Sequence, residues 1–377
     1  MNNIREQIDT LRRNGNYRTL RPDLAHSGLI DLSSNDYLGL ANNKSLLDKF
    51  LQDQKKRSAN PIMSSSASRL LSLHQQSYIN LEQLLSNLYK RESLVFNSGY
   101  HANSGIIPAI CNKNTLIVCD KLVHASIIDG IILSRAKFVR FKYNDLNHLQ
   151  DIIKKNKTEY SDILIITESV FSMDGDFCNL QDLVNIKKNN PGVRLYVDEA
   201  HGFGVYGNKG LGLCEDFCVI DDIDYIIGTL GKAGASVGAF VITDNDNKNF
   251  LINTARSFIF STMIPPFNCE WSQFIIKHII DMNNEREHLH HISRKLNKFF
   301  ISIGFPSNSN SQIVPLILKD AHKAISISQQ LLDMGYIALP IRTPTVPIGT
   351  ERIRFSLNSN IPDETIDRLI TDLGTLL

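Results

Sequence analysis

The stretch DYIIGTLGKAGASVGAFVIT, residues 224–243, contains two apolar segments that flank a loop of small residues. A near-continuous apolar run is typical of a strand that is covered on both faces of a sheet. Lys232 lies in the loop after the first run, among glycine, alanine and serine. A lysine is costly to bury unless a partner meets its amine. The stretch therefore predicts a functional lysine at the carboxyl end of a buried strand.

Apolar runs of the same kind recur along the first two thirds of the chain, and helical patterns separate them. The runs are TLIVCD (115–120), ILIITESV (163–170), VRLYVD (193–198), DYIIGT (224–229) and GAFVIT (238–243). Helical patterns cover 69–89, 144–155 and 179–189. This alternation predicts an α/β domain with a mostly parallel sheet, to which we assign all five runs.

The pattern changes after about residue 262. MIPP (263–266) is followed by one long helical pattern over 268–304, and then by shorter strand and helix patterns to the C-terminus, at 312–319, 321–334, 336–341, 352–357 and from 362. This order predicts a separate, smaller α/β domain. We expect an N-terminal segment over 1–45, a large domain over 46–265 and a small C-terminal domain over 266–377.

Composition excludes several classes of protein. The net charge is +1, from 40 basic and 39 acidic residues, so no overall field favours a nucleic acid partner. The N-terminus lacks the apolar core of a secretory signal, and no apolar run approaches the roughly 20 residues of a membrane span. The six cysteines form no metal-ligand pattern, and we expect buried free thiols and no metal. These features predict a cytoplasmic protein without a membrane partner.

Two motifs match nucleotide-binding signatures but lack the required context. Residues 198–201 read DEAH, as in a helicase-type ATPase, yet the chain has no GxxxxGK[ST] loop to hold phosphates. Residues 202–207 match GxGxxG, but a further loop follows them instead of an apolar helix. Neither motif therefore predicts nucleotide chemistry.

Three ionisable residues remain at strand ends, where ligands bind in α/β sheets. Asp198 ends one buried run, His201 follows it, and Lys232 follows the next run. Pyridoxal phosphate (PLP) needs such a set, because a lysine forms its Schiff base and a carboxylate keeps its ring nitrogen protonated. The alternative for Asp198 is a cap on the following turn.

Two further segments fit the same cofactor. Ser98-Gly99-Tyr100 opens a predicted helix, whose positive end with free N–H groups suits a phosphate. His124 follows another strand, and its imidazole suits stacking on the cofactor ring, although a lone histidine in this position is often structural.

Eight motifs occur in order along the chain: SSNDYLGL (33–40), FNSGYHAN (96–103), LVHASIIDG (122–130), TESVFSMDGD (167–176), VDEAHGFGVYG (197–207), TLGKAGAS (229–236), FSTMIPP (260–266) and TPTVPIGTERIR (343–354). Together they resemble the α-oxoamine synthases, which are PLP-dependent transferases of fold type I. The resemblance extends from about residue 17 to the C-terminus, and it implies a large domain with a mostly parallel sheet and a smaller C-terminal α/β domain. It also implies the reaction of that family, which condenses an amino acid with an acyl thioester and releases CO2.

The resemblance implies a role for each matching residue. Lys232 would be the Schiff-base lysine, Asp198 the partner of the ring nitrogen and His124 the stacked plate, and these three are the predicted catalytic residues. The remaining predicted contacts are to the phenolic oxygen of the cofactor (Ser172, His201), to its phosphate (Ser98, Gly99, Tyr100, Thr229, and Thr262 from a second subunit) and to the substrates (Arg21, Asn35, Thr345, Arg354).

The segment IRTPTVPIGT (341–350) is most similar to family members that join L-alanine to a pimeloyl thioester. The resemblance implies a homodimer with the active site at the subunit interface, and an acyl carrier that is either coenzyme A or an acyl carrier protein. The alternative is a member that uses glycine, such as 2-amino-3-ketobutyrate ligase, or one that makes an α-aminoketone signal from another thioester.

Small residues replace glycines of the family pattern at two places in this chain. Ser64–Ser68 precede the Ser-Arg-Leu motif, and alanines stand at 233 and 235 beside the lysine. Serine and alanine resist the positive φ angles that glycine permits, so we expect these segments to be conformationally restricted.

Overall fold

The computed structural model describes residues 3–20, 28–56 and 61–377. A short 3-10 helix, Ile220–Asp222, accompanies the α-helices. The α-helices are α1 (Ile4–Arg13), α2 (Lys44–Lys56), α3 (Gln76–Tyr89), α4 (Gly99–Ile110), α5 (Ala125–Ser134), α6 (Leu146–Asn156), α7 (Leu180–Lys188), α8 (Leu213–Asp216), α9 (Asn245–Thr254), α10 (Arg256–Ile259), α11 (Pro266–Ile279), α12 (Asn283–Ser302), α13 (Ala321–Asp333) and α14 (Asp363–Leu376).

The strands belong to one large sheet and two small ones. The large sheet has the order β2-β8-β7-β6-β5-β3-β4. The strands are β1 (Ile30–Asp31), β2 (Glu92–Phe96), β3 (Thr115–Asp120), β4 (Lys137–Phe141), β5 (Asp162–Glu168), β6 (Val193–Asp198), β7 (Tyr225–Thr229), β8 (Ala239–Thr243), β9 (Ile313–Ile317), β10 (Tyr336–Ile337), β11 (Leu339–Ile341) and β12 (Arg352–Ser356).

The chain forms two compact units. The larger unit comprises residues 38–171 and 177–286 and contains the seven-stranded sheet. The smaller unit comprises residues 1–37, 172–176 and 287–377. It holds the antiparallel sheet β11-β12-β9 and the parallel pair β1-β10. The domain boundaries at 45 and 265 stay a prediction.

The large sheet is mostly parallel, as predicted. Strands β4, β3, β5, β6 and β7 run parallel to one another. Every residue of β3 is buried, as is every residue of β5 after Asp162, because helices cover both faces of such a sheet. The ends of these buried strands carry the candidate site.

The assignment of GAFVIT to the parallel strands was wrong. Strand β8 is antiparallel to both β7 and β2. The connection from β7 to β8 has only nine residues, 230–238, whereas a parallel crossover needs a dozen or more. The lysine loop is therefore a tight connection between two neighbouring antiparallel strands.

The helix predicted over 69–89 begins only at Gln76. Arg69 donates hydrogen bonds to both oxygens of Glu82, at 2.8 and 3.1 Å, and to the side chain of Gln75. The Gln75 amide in turn donates to the carbonyls of Arg69 and Ser72. These contacts turn the chain before the helix, and a helical pattern of leucines does not reveal them.

The predicted helix over 268–304 is two helices, α11 and α12. The buried Arg286 guanidinium donates to the Ile279 carbonyl at 2.7 Å and to the Asn283 side chain at 2.6 Å. It thereby satisfies carbonyls at the end of α11.

The predicted strand over 336–341 is likewise divided into β10 and β11, which join different sheets.

Near the N-terminus the chain forms helix α1, and Asn3 caps it by accepting the Arg5 N–H. Five of the six cysteines are buried, and Cys218 is exposed, contrary to the expectation that all are buried. Among the described residues, no helix combines the length and the apolar character that crossing a bilayer requires.

The Arg69–Glu82 pair supplies a test of the fold. Both side chains are largely buried, so Arg69→Ala should lower the free energy of unfolding by about 3–5 kcal/mol, because it leaves the Glu82 carboxylate without its cation. Urea unfolding of the cofactor-free protein measures this loss. The double variant Arg69→Met/Glu82→Leu should be closer to the native stability, since no charge remains buried. An R69A protein of native stability would show that the Arg69–Glu82 pair does not stabilise the fold.

Candidate active site

A cavity of about 160 Å³ lies at the carboxyl end of the large sheet, within the larger unit. Seven residues predicted from the sequence line it together with four that were not predicted. The predicted ones are Gly99, Tyr100, His124, Asp198, His201, Thr229 and Lys232, and the others are Asn103, Ser126, Glu168 and Ala200.

The topology of the sheet brings these residues together. Glu168, Asp198 and Thr229 are the last residues of β5, β6 and β7. These strands are parallel and adjacent, so their carboxyl ends meet at one edge. Gly99 opens α4, and His124 caps α5 by accepting the Ser126 N–H. Strand ends and helix starts therefore form the walls of the cavity.

Lys232 reaches the cavity from the loop after β7. Its Nζ lies 2.7 Å from Nε2 of His201, which is buried with 4% of its surface exposed. The amine and the imidazole are thus within hydrogen-bonding distance, and a proton can pass between them.

Asp198 is held by donors on two sides. Its Oδ2 accepts the Asn103 side-chain amide at 2.8 Å, and its Oδ1 accepts the Ala200 N–H at 2.9 Å. Asn103 is itself oriented by the Tyr196 hydroxyl, at 2.6 Å. In the part of the chain that the structure describes, no cation lies within 4.0 Å of the Asp198 carboxylate. A buried carboxylate of this kind suits a protonated nitrogen on a ligand.

The N-terminus of α4 lines the cavity with hydrogen-bond donors, in contrast to the Asp198 carboxylate. Ser98 caps the helix, because its Oγ accepts the His101 N–H at 3.2 Å. Gly99 and Tyr100 follow in the first turn, and the Thr229 hydroxyl stands nearby in the same cavity. Unpaired N–H groups at a helix start, with the positive end of its dipole, favour an anionic phosphate.

Glu168 is a cavity residue that the sequence argument missed. It has 3% of its surface exposed, and its Oε1 accepts the His124 backbone N–H at 2.6 Å. Burial, and then the negative charge of Asp198 beside it, raise the pKa of Glu168 to about 8. The same rule that selected Asp198, an acid at the end of a buried strand, would have selected Glu168 in TESVFSMDGD.

His124 stands at the open side of the cavity. Its Nδ1 lies 2.8 Å from the Ser126 hydroxyl, which also accepts the Asn103 amide. Desolvation by the cavity walls lowers the pKa of His124, and the Asp198 carboxylate partly opposes this shift. A neutral imidazole is the form suited to stacking against an aromatic ring.

The smaller unit gathers a second set of predicted residues around Arg354. Its guanidinium donates to the Ser172 carbonyl at 2.6 Å and to the Asn35 side chain at 3.1 Å. Asn35 also accepts the Tyr37 hydroxyl at 3.0 Å. Arg354 is 6% exposed, yet among the described residues it has no carboxylate partner within 4.0 Å. Its neighbour Arg352 does have one, Asp174 at 2.6 Å.

Two predicted residues that the structure describes, Thr345 and Thr262, lie apart from these clusters. Arg21 is outside the described residues. Thr345 accepts a hydrogen bond from Arg18 at 2.9 Å in the smaller unit. Thr262 is exposed in the larger unit, where its carbonyl accepts the Asn97 amide at 2.6 Å and its backbone pairs with Ser68.

Residues 27–373 match the family model of aminotransferase class I and II, and the chain belongs to this family. A relative from Glaesserella parasuis serovar 5, named "Putative 8-amino-7-oxononanoate synthase", is 45% identical over 99% of this chain and 100% of its own length. A relative of the same name from Pasteurella multocida is 46% identical, over 98% of each chain.

Solved structures show the same fold. A serine palmitoyltransferase from S. paucimobilis with a bound PLP-myriocin aldimine superposes with a TM-score of 0.85, at 28% identity over 92% of this chain and 87% of that one. An 8-amino-7-oxononanoate synthase from Francisella tularensis gives 0.79, at 29% identity over 93% and 98%.

These comparisons confirm the predicted resemblance, the α/β fold and the cofactor. The protein is a PLP-dependent enzyme of the α-oxoamine synthase type. The cavity fits PLP on its own evidence, since it combines an amine, a buried carboxylate without a described cation and a helix N-terminus. These are the groups that an aldehyde, a pyridine nitrogen and a phosphate require.

The raised pKa of Glu168 predicts a pH-dependent stability of the cofactor-free protein. Between its ordinary pKa of 4.5 and about 8, the folded protein keeps a proton that the unfolded chain has lost. This group therefore lowers the free energy of unfolding as pH rises, by about 1.4 kcal/mol per pH unit. Glu168→Gln removes this pH dependence. The free energy of unfolding of the variant should therefore rise relative to that of the native protein as pH increases from 4.5 to about 8, and the difference should stay constant at higher pH.

Denaturant unfolding of both proteins at several pH values measures the difference, with Glu92→Gln on the edge strand as a control. If the difference between E168Q and the native protein stayed constant from pH 5 to 8, the raised pKa would be wrong.

Proposed function

We propose that the protein is an 8-amino-7-oxononanoate synthase of biotin biosynthesis, which joins L-alanine to a pimeloyl thioester. The observation that carries the proposal is the full-length match to relatives of that name at 45–46% identity. The segment IRTPTVPIGT (341–350), which is most similar to the family members that use L-alanine and a pimeloyl thioester, supports it. The cavity around Lys232 supplies groups suited to the chemistry.

The proposed reaction balances without an oxidant or reductant. L-alanine and the pimeloyl thioester give 8-amino-7-oxononanoate, CO2 and the free thiol of the carrier. A bond forms between the alanine Cα and the acyl carbon, the carbon–sulfur bond breaks, and the alanine carboxylate leaves as CO2. Bound PLP supplies an electron sink that stabilises the negative charge that develops on Cα.

Each wall of the cavity would hold one part of the cofactor. Lys232 would bind its aldehyde carbon, and Asp198 would keep its ring nitrogen protonated. His124 would lie against the ring, and His201 and Ser172 would stand near the phenolic oxygen. The phosphate would meet the start of α4, with Ser98, Gly99, Tyr100 and Thr229.

Lys232 would also move the proton of the reaction. Its Nζ would be the base that takes the Cα proton of alanine. His201, 2.7 Å away, can share that proton and so hold the amine in place. Because Asp198 is fixed by Asn103 and Ala200, it would keep its position while charge develops.

Arg354 would receive the carboxylate of alanine. A buried guanidinium without a described acidic partner has donors to spare, and a planar guanidinium can pair with a carboxylate through two hydrogen bonds. Asn35 would orient it. Arg21 and Thr345 would contact the acyl substrate, whose carrier is either coenzyme A or an acyl carrier protein.

We further propose a cytoplasmic homodimer in which Thr262 contacts the phosphate in the other subunit. In the chain itself Thr262 is exposed, and Ser68 and Asn97 fix its backbone. Leu71 and Leu73, at 76% and 94% exposed, lie in the segment after Ser68. Exposed leucines so close together favour an interface between subunits.

A second candidate is a synthase that uses another amino acid and a longer acyl chain. The serine palmitoyltransferase structure superposes with a higher TM-score than the 8-amino-7-oxononanoate synthase structure, 0.85 against 0.79. Rates with L-alanine, glycine and L-serine, each combined with pimeloyl and palmitoyl thioesters, distinguish the two. Preference for L-serine or for palmitoyl thioester would refute the first proposal.

Lys232→Ala should abolish turnover and covalent attachment of the cofactor. Borohydride reduction of the loaded protein followed by peptide mass spectrometry should find the cofactor on Lys232 in the native chain and nowhere in K232A. Lys248→Ala, a surface lysine paired with Glu92, is the matched control and should leave attachment intact. Retained attachment in K232A would rule out the assigned lysine.

Arg354→Lys should lower kcat/KM for alanine by roughly 10- to 100-fold, because charge-assisted hydrogen bonds worth about 1.5–3 kcal/mol are lost or misaligned. The KM for the acyl thioester should change little. Steady-state kinetics with each substrate varied separately measures both. An equal effect on the two substrates would contradict a specific role in binding the carboxylate.

A further inference from the structure

The lysine loop, residues 230–238, is closed tightly by its own backbone. The Leu230 N–H donates to the Gly238 carbonyl and the Ser236 N–H donates to the Leu230 carbonyl, both at 2.9 Å. Within the loop, the Ala235 N–H donates to the Lys232 carbonyl, also at 2.9 Å. Residues 232–235 therefore form one turn, and the conformation of Ala235 affects the direction of Lys232.

Ala235 adopts a conformation that alanine disfavours. Its φ angle is +44°, in the left-handed region where a Cβ atom crowds the backbone and glycine is the usual residue. Such a conformation persists only where surrounding contacts hold it. Besides the turn hydrogen bond to Lys232, a side-chain contact reaches Ala235 from Trp271, whose indole N–H donates to the Ala235 carbonyl at 2.8 Å.

The next residue is tied to the same helix. The Ser236 hydroxyl lies 2.8 Å from the Ser272 hydroxyl. Two successive residues of the loop are thus bonded to two successive residues of α11. The Ser272 hydroxyl also donates to the Asn268 carbonyl within that helix, which fixes its position.

Trp271 is itself fixed by aromatic packing. Its ring stacks on Phe274, with centroids 5.8 Å apart, and meets Phe50 edge to face at 5.2 Å. It is the sole tryptophan of the chain. A side chain held by two rings offers its N–H from a constant position, so it can constrain a strained residue.

The other side of the lysine is fixed by packing. Ala233 is completely buried, and a Cβ atom built on Gly204 would come within 2.6 Å of the Ala233 methyl group. Lys232 therefore lies between Ala233, packed against Gly204, and Ala235, held by Trp271.

We propose that Trp271 is a positioning residue for Lys232: its indole N–H holds Ala235 in the left-handed conformation and so directs the lysine amine towards His201. The effect of Trp271 on catalysis rests on the proposed role of Lys232. The effect of Trp271 on the conformation of the loop does not depend on that role.

The first test uses the cofactor-free protein. Trp271→Phe keeps a ring in the aromatic cluster but removes the N–H donor. Hydrogen exchange followed by mass spectrometry should show the peptide over 230–238 exchanging roughly two- to tenfold faster, the factor expected for one lost hydrogen bond. Phe274→Leu removes a ring from the same cluster without removing that donor, and it should leave the exchange of this peptide close to the native rate.

The second test uses the double variant Trp271→Phe/Ala235→Gly. Glycine adopts a positive φ angle without support, so it should restore native exchange of the loop even though the indole is absent. A purely structural role for Trp271 in the aromatic cluster would not be rescued by a change at residue 235.

The third test uses the PLP-loaded protein. W271F should shift the pH at which the visible absorption of the loaded protein changes, and should lower kcat by a similar two- to tenfold factor with little change in KM for alanine. The Ala235→Gly replacement in the W271F background should return both quantities towards the native values.

The outcomes separate this inference from the proposed function. Native exchange of the loop in W271F, or faster exchange that spreads evenly over the chain, would overturn the positioning role. Faster exchange without rescue by glycine would overturn the role of strain at Ala235. If the native protein failed to make the pimeloyl product while W271F still loosened the loop and glycine restored it, the proposed substrate would fail and the positioning role would stand.

Discussion

The register between β5 and β6 is the constraint on which the candidate site depends. It places Glu168 directly beside Asp198 at the buried edge of the sheet, where neighbouring strands lie about 4.8 Å apart. Two acids so close cannot both carry a charge at low cost. Among the described residues, Asp198 accepts two donors and Glu168 accepts one. Burial, and then the negative charge of Asp198, raise the pKa of Glu168. The two neighbouring acids therefore differ, because Glu168 holds a proton more readily while Asp198 is fixed by its two donors.

In the smaller unit, two neighbouring arginines also differ in their partners. Arg352 and Arg354 are two residues apart on β12, so their side chains leave the same face of the strand. Both bind the segment Ser172–Asp176, where Arg352 contacts the Asp174 carboxylate and Arg354 contacts the Ser172 carbonyl. Arg352 is thus satisfied as a structural residue. Within the described part of the chain, Arg354 meets only neutral acceptors. This difference, rather than burial, distinguishes a candidate binding residue from its neighbour.

Much of the site could be predicted because strand ends in a parallel sheet converge. The acid, histidine and lysine around 198–232 follow from that rule, and the resemblance added Thr229, which lines the same cavity. The errors have a common physical cause. The start of α3 depends on an Arg69–Glu82 pair formed across 13 residues, and the break before α12 depends on one buried guanidinium. Strand β8 is antiparallel because its loop is short. Such contacts are decided by tertiary packing, which hydrophobic periodicity does not record.

The motif DEAHGFG shows how one short segment divides its side chains between two environments. Asp198 and His201 line the cavity, whereas Glu199 is completely buried and accepts the Ser169 hydroxyl and the Cys214 N–H. A Cβ atom on Gly202 would come within 1.9 Å of the Glu199 carboxylate, so this glycine leaves room for that acid.

Gly204 has a corresponding role at the other end of the motif. It adopts a φ angle of +84° directly against the methyl group of Ala233. Gly202 and Gly204, which belong to the segment that resembles a dinucleotide fingerprint, therefore serve close packing, and of these two Gly204 packs against the lysine loop. Residue 233 is small because it faces Gly204. Residue 235 can be alanine because the Trp271 indole N–H holds it in the left-handed conformation. The restricted backbone on either side of Lys232 follows from these two contacts, and it limits the directions in which the Lys232 side chain can leave the loop.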